Sequence, residues 1–337
     1  MSTEPVVVDL ADLRDGKVDE VLEDAFGPDS LGIIIIRGLS EEYQQLRHDV
    51  LLGASQLAQL DPKELEKLED EESSWLIGWS RGKEKLRNNE PDNLKGSYYI
   101  NCGTFVHSEG LKDVELVDEK RDYPDLKGYV SNNLWPSQLP QFENNVKKLC
   151  KLIIDTATVV AQACDRFMVK KGIPLADTNY LEKIVRTSTT TKARLLHYFP
   201  AESTDDDPDD SWCGQHIDHS CLTGLTSAML IDERADAQTE LNKSPDPDAG
   251  LYIRNRRDQV VKVAIPKDCL AFQTGEALQL VTQNQFKAVP HYVRGAKAPG
   301  VARNTLAVFC QPSLHQVIDN DDYTFAQFCR DLIKRYH

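Results

Sequence analysis

Residues 215–225 read QHIDHSCLTGL. In an extended strand, residues two apart point to one face, so His216 and Asp218 project together while Ile217 and His219 point away. An imidazole beside a carboxylate gives a divalent cation two ligands and leaves its shell incomplete. The third must come from another strand. Two histidines and one carboxylate on one side of an ion leave three positions open, a donor set suited to ferrous iron. Zinc accepts the same three ligands. Of the downstream histidines, His291 lies inside the strand-like run FKAVPHYVRG, His315 follows a proline turn and His337 ends the chain. His291 is the candidate ligand, with a satisfied core histidine as the competing reading.

A second pair follows the same rule. Arg303 and Thr305 in GVARNTLAVFCQ share a strand face, while Asn304 and Leu306 take the other. A guanidinium directed into an apolar interior needs an anion. The carboxylate of a small co-substrate, held bidentately, is one solution. An internal ion pair with Asp or Glu is the other.

These residues need strands to carry them. From about Lys192 the chain breaks into short β-rich runs: KARLLHYF, CGQHID, LTGLTSAML, GLYIRN, QVVKVAI, CLAFQTG, FKAVPHYV and RNTLAVFCQ. Such a series suggests a jelly roll, or double-stranded β-helix, within an α+β, mainly β chain. The stretches ESTDDDPDDS and DERADAQTELNKSPDPDAG read as surface loops, the first acidic. Upstream the pattern is mixed. VVVDL reads as a strand, and KVDEVLEDAF as a helix with Val18, Val21, Leu22 and Ala25 on one face. Ile33–Ile36 form a buried strand, and PKELEKLEDEE a solvated helix face. Residues 141–169 carry an apolar stripe at Val146, Leu149, Ile153, Ala157 and Val160, the mark of a long packed helix. The expected organisation is an N-terminal mixed region over 1–190, a barrel core over 191–312 and a helical segment over 313–337.

Composition narrows the partners. The 337 residues are 40% hydrophobic with a formal net charge of -15, and no segment forms a dense basic stripe. That disfavours nucleic acid and anionic membrane. The run LGIIIIRGL is too short to span a bilayer, and the N-terminus lacks a secretory pattern. The eight cysteines form no C-x-x-C pair and read as free thiols of a reducing, cytoplasmic compartment.

Taken together, the motifs resemble the isopenicillin N synthase-like 2-oxoglutarate/Fe(II)-dependent dioxygenases. HIDHSCLTGL is similar to that family's H-x-D-x-x-x-L-T-x-L block, and GEALQLVTQNQFKAVPHYVRG to the segment carrying its distal histidine. ARNTLAVFCQP resembles its arginine-x-serine strand, and ARLLHYFP the strand whose tyrosine helps hold 2-oxoglutarate. NNLWPSQLPQF, VVVDLADL and FGPDSLGIIIIRGL match upstream blocks, so the resemblance spans nearly the whole chain.

The resemblance implies that His216, Asp218 and His291 bind Fe(II). It implies that Arg303 and Thr305 hold the distal carboxylate of 2-oxoglutarate, with Tyr198 assisting. Thr305 stands where serine is usual, and Leu196 where many members have asparagine. The stretch between Asp218 and His291 is longer than usual, which the 232–250 loop accounts for. His219 falls to a supporting or structural role. The implied reaction consumes O2 and 2-oxoglutarate, releases CO2 and succinate, and hydroxylates or desaturates a small organic substrate. Leu222, Leu225, Leu280, Val289 and Phe309 are expected to keep the pocket dry, Tyr98 or Tyr99 to face it, and FAQFCRDLIKRY to cover its mouth. The alternatives are an iron oxidase of the same fold that does not use 2-oxoglutarate, a zinc hydrolase, and a non-catalytic binding or sensing member. Neither the substrate nor the oligomeric state is readable from these residues.

Overall fold

The computed structural model describes residues 4–84, 91–106, 119–200, 212–235 and 238–336. The acidic run at 202–211 therefore lies outside the described residues, as do His337 and part of the 232–250 loop.

The Ile33–Ile36 run explains the layering. Alternate residues of a strand face opposite ways. Ile34 and Ile36 join one apolar cluster with the helices, and Ile33 and Ile35 join a second cluster. A strand covered on both faces must be apolar throughout, as this one is.

Four strands precede residue 190: β1 (Val6–Asp9), β2 (Ile33–Arg37), β3 (Gly78–Arg81) and β4 (Lys95–Asn101). Nine follow: β5 (Lys192–Tyr198), β6 (Cys213–His216), β7 (Leu222–Thr226), β8 (Met229–Asp232), β9 (Gly250–Arg254), β10 (Val260–Val263), β11 (Leu270–Thr274), β12 (His291–Arg294) and β13 (Val301–Cys310). Among the described residues they form a large sheet in the order β1-β2-β11-β7-β13-β5-β4-β3, with β8 also on β13, and a small sheet in the order β10-β9-β12-β6. All pairings are antiparallel except β1 with β2. The second apolar cluster draws Ala271, Leu196 and Tyr198 from the large sheet and Leu251, Ile253 and Val293 from the small one. It is the packing between the sheets.

The outer face of the large sheet is covered by the helices Glu41–Ala58 and Phe142–Lys170, and the helix Phe325–Tyr336 joins the same apolar cluster. The predicted stripe on Phe142–Lys170 is buried at all five positions. That helix comes close to the sheet because β7 has a glycine beneath it. A Cβ on Gly224 would lie 2.4 Å from Ile153 and 3.1 Å from Phe272.

Several predicted elements are shorter or divided. LTGLTSAML is two strands, because Arg47 takes the carbonyls of Ser227 (3.0 Å) and Ala228 (3.0 Å) out of the ladder. KVDEVLEDAF is a 3₁₀ turn, Asp19–Val21, followed by the short helix Leu22–Phe26. The buried Asp19 is held in its turn by Arg166 at 2.8 Å. In PKELEKLEDEE only Pro62–Glu66 is α-helical, started by Asp61 accepting from the Lys63 N–H at 2.9 Å. FKAVPHYV becomes a strand only at His291, after Pro290, which has no N–H for a ladder. Among the described residues, no helix is long and apolar enough to cross a membrane.

Candidate metal centre

His216 is the last residue of β6 and His291 the first of β12, and the two are paired across the antiparallel ladder. Their ring centroids lie 4.3 Å apart. Asp218 lies beyond the end of β6, so strand parity does not place it, contrary to the sequence expectation of a strand through Asp218. The connection to β7 does: the Asp218 carbonyl accepts from the Glu276 N–H at 2.7 Å. Asp218 Oδ1 sits 3.5 Å from His216 Nε2 and 3.7 Å from His291 Nε2. One ligand atom from each of the three residues lies within 4.8 Å of the other two. Atoms that share an ion at ~2.1 Å each are separated by roughly 3 to 4 Å, so the spacing fits a common cation. Asp218 and His291 are buried, whereas the His216 side chain is 39% exposed and opens the site to one side.

The electrostatics of Asp218 and His291 agree with that fit. Burial pushes the Asp218 carboxyl up, but the imidazoles of His291 and His216 outweigh it and hold the group below the usual carboxylate range. Burial alone is the largest influence on His291 and lowers it to about 4, which leaves the ring neutral as a ligand must be. On His216 burial acts downward too, yet Cys213 and Asp218 together raise it.

His219 faces away, toward Glu276 (3.2 Å) and the ring of Phe328 on the C-terminal helix (5.8 Å). His315 is exposed.

Arg303 and Thr305 are buried on β13, with Tyr198 and Leu196 as their respective cross-strand partners on β5. The Arg303 guanidinium stands 5.3 Å from the centre of the Tyr198 ring, and that ring stacks on Trp212. No carboxylate among the described residues pairs with Arg303, and its Nη1 is buried without a hydrogen-bond partner. Burial lowers the guanidinium's pKa. Of the expected apolar lining, Leu225 and Val289 belong to the inter-sheet cluster, and Phe309 is half-buried. Leu222 and Leu280 pack instead on the helix side. Tyr98 is likewise on the helix side, against Phe142 and Trp135, so it does not face the pocket.

Two features escaped sequence reasoning. On β4 and β5, Lys95, Ser97, Tyr99 and Arg194 share the face that carries Tyr198. Arg194 donates to Ser97 Oγ at 2.8 Å and pairs with Glu84, while Lys95 pairs with Glu84 at 2.8 Å and Asp92 at 3.0 Å. Pairings across so many residues leave no local signature. The second feature is a pair of polar residues behind the ligands. Thr223 on β7 and Gln273 on β11 are cross-strand partners. The Thr223 hydroxyl hydrogen-bonds Asp218, and the Gln273 carboxamide lies 2.7 Å from His291 Nδ1. A lone amide in the apolar run CLAFQTG was the available signal for the latter.

No protein-family model matches the chain, and no curated protein matches it in sequence. Solved structures do match. A Caulobacter crescentus protein of the 2OG-Fe(II) oxygenase family superposes with a TM-score of 0.70 at 16% identity, over 100% of both chains. A full-length Neurospora crassa protein, solved in complex with alpha-KG and 5-formyluracil, gives 0.64 at 18% identity, covering 94% of this chain and 88% of that one. An Arabidopsis thaliana dioxygenase for auxin oxidation, solved in a 2-oxoglutarate complex, gives 0.61 at 14% identity, covering 94% and 95%. These neighbours come from the family that the sequence motifs resemble, and the chain has the fold of the 2OG-Fe(II) oxygenases.

Proposed function

We propose that the protein is a 2-oxoglutarate- and Fe(II)-dependent dioxygenase that hydroxylates or desaturates a small organic substrate. One observation carries the reading. Two imidazoles and a carboxylate converge within 4.8 Å, in a chain that also buries an arginine with no carboxylate partner among the described residues. A buried cation without an anion is costly unless a ligand supplies one. The bound 2-oxoglutarate of the Neurospora and Arabidopsis structures supports assigning it that role. The two packed sheets are read as the double-stranded β-helix, with the 1–190 region and the 313–337 helical segment flanking a core at 191–312.

In this reading His216, Asp218 and His291 hold Fe(II), which with 2-oxoglutarate supplies the activation of O2. The rest is the work of the chain. Arg303 binds the distal carboxylate of the co-substrate through two N–H groups, and the Thr305 hydroxyl donates a further hydrogen bond. Tyr198 holds the guanidinium against its ring and is itself braced by Trp212. Leu225, Val289 and Ala271 line the space between the sheets with apolar surface and exclude water. His216, the exposed ligand, marks the side from which substrate enters.

The test is succinate release from 2-oxoglutarate, under O2 and Fe(II), with a panel of small metabolites. Release stimulated by one of them, and abolished by Asp218→Ala, is expected. Tight binding of zinc with substrate hydrolysis and no succinate would overturn the proposal.

A further inference from the structure

Gln273 is fully buried, and its carboxamide is oriented with Nε2 2.7 Å from His291 Nδ1 and Oε1 without any partner. This arrangement is costly twice over. It leaves a buried acceptor unsatisfied. It also requires Nδ1 to accept, which puts the imidazole proton on Nε2, the nitrogen that faces Asp218. A second neighbour decides the matter. The Val289 carbonyl lies 3.4 Å from the same Nδ1 and can only accept. Turning the carboxamide by 180° changes no shape, because the O and N ends are nearly isosteric. It gives Oε1 a donor, lets Nδ1–H serve both oxygens and bares Nε2 toward the ion, and it moves the amide NH2 to the place where Oε1 has no partner.

We propose that Gln273 is the positioning residue of the metal centre: its carboxamide oxygen accepts the Nδ1–H of His291 and so fixes the tautomer that presents Nε2 as a ligand. The inference rests on the metal-centre reading above. It also gives the site a division of labour. β6 and β12 of the small sheet carry the two histidines, while β7 and β11 of the large sheet supply the groups that orient His291 and Asp218. Groups behind a ligand commonly alter metal affinity by about 10- to 100-fold.

The experiment has two arms. Long-range ¹H–¹⁵N correlation on metal-free, histidine-labelled protein reads the tautomer of His291, assigned by comparison with His291→Gln. The expected result is Nδ1–H in the native chain and a mixture in Gln273→Leu. In the second arm, Co(II) titration followed by d–d absorption should show Gln273→Leu binding about 10- to 100-fold more weakly, with Gln273→Glu, which keeps an acceptor, recovering most of the loss. An Nε2–H tautomer in the native metal-free chain overturns the proposal, as does equal Co(II) affinity in the native and Gln273→Leu proteins. Failure of Co(II) to bind the native chain at all would count against the metal centre itself, so the two readings fail separately.

Discussion

Replacing Arg303 by methionine separates ligand recognition from folding. In most proteins, removing one partner of a buried charge pair destabilises the fold by several kcal/mol. Here the guanidinium is buried, lies over the Tyr198 ring at 5.3 Å, and has no carboxylate partner among the described residues. Among the described residues no carboxylate offsets its desolvation, so a methionine of similar length should leave ligand-free stability unchanged or raise it. With 2-oxoglutarate bound the balance reverses. Two charge-assisted hydrogen bonds at ~1.5–3 kcal/mol each give roughly 3–6 kcal/mol, or about 10²- to 10⁴-fold in Kd. At a ligand concentration near 100 times the native Kd, the native chain gains ~2.7 kcal/mol of apparent stability, and Arg303→Met should gain almost none. Calorimetric titration and thermal melts, with and without 2-oxoglutarate and with the metal held constant, measure both quantities. A variant that melts far below the native protein without ligand, yet still binds 2-oxoglutarate at native affinity, would refute the reasoning.

Other expectations are equally direct. Saturating Co(II) should raise the melting temperature of the native protein, and Asp218→Ala should lose that rise while keeping its far-ultraviolet spectrum; an undiminished rise would place the ion elsewhere. Gly224→Ala should cost about 1–3 kcal/mol, seen in denaturant melts, because its Cβ would stand 2.4 Å from Ile153. His197, on the helix side of β5, is lowered to about 4, with burial the dominant cause, and hydrogen-bonds Asn304 at 2.7 Å. The unfolded chain binds this proton below ~6.5 and the folded chain only near 4. This contribution is therefore complete above about pH 6.5 and declines toward pH 4 by roughly 3 kcal/mol, and His197→Gln should flatten the profile over that window. Identical acid profiles for the two proteins would contradict the assignment.

What was legible in the sequence followed from period and spacing. The apolar stripe on residues 141–169 and the buried isoleucine strand are local patterns, and both elements form, the helix as Phe142–Lys170. His216, Asp218 and His291 were singled out by type and spacing, and their ligand atoms lie together. The parity argument reached too far at Asp218, because β6 stops at His216 and the turn, not the strand, sets the carboxylate. The division of the 222–230 run was hidden because its cause, Arg47, is distant in sequence. The same holds for strands β1 to β4. Their residues read as strands or mixed structure, but Ile33 lies opposite Gln273, and no local signal announces that pairing. Gln273 and the Arg194–Glu84 pair are invisible for the same reason: their meaning lies in a partner on another strand or segment.

The placement of the histidines on one sheet and of their supporting groups on the other has a practical corollary for remodelling this protein. Under the proposed function, the gap between the sheets is both the reaction chamber and the calliper that sets ligand alignment. Trimming Ala271, Val293 or their neighbours to admit a bulkier compound would let the sheets settle closer or drift, moving His291 relative to Gln273. Chamber size and grip on the ion are thus not independent variables in this architecture, and redesign would be safer at the open side beside His216 than in the filling between the sheets.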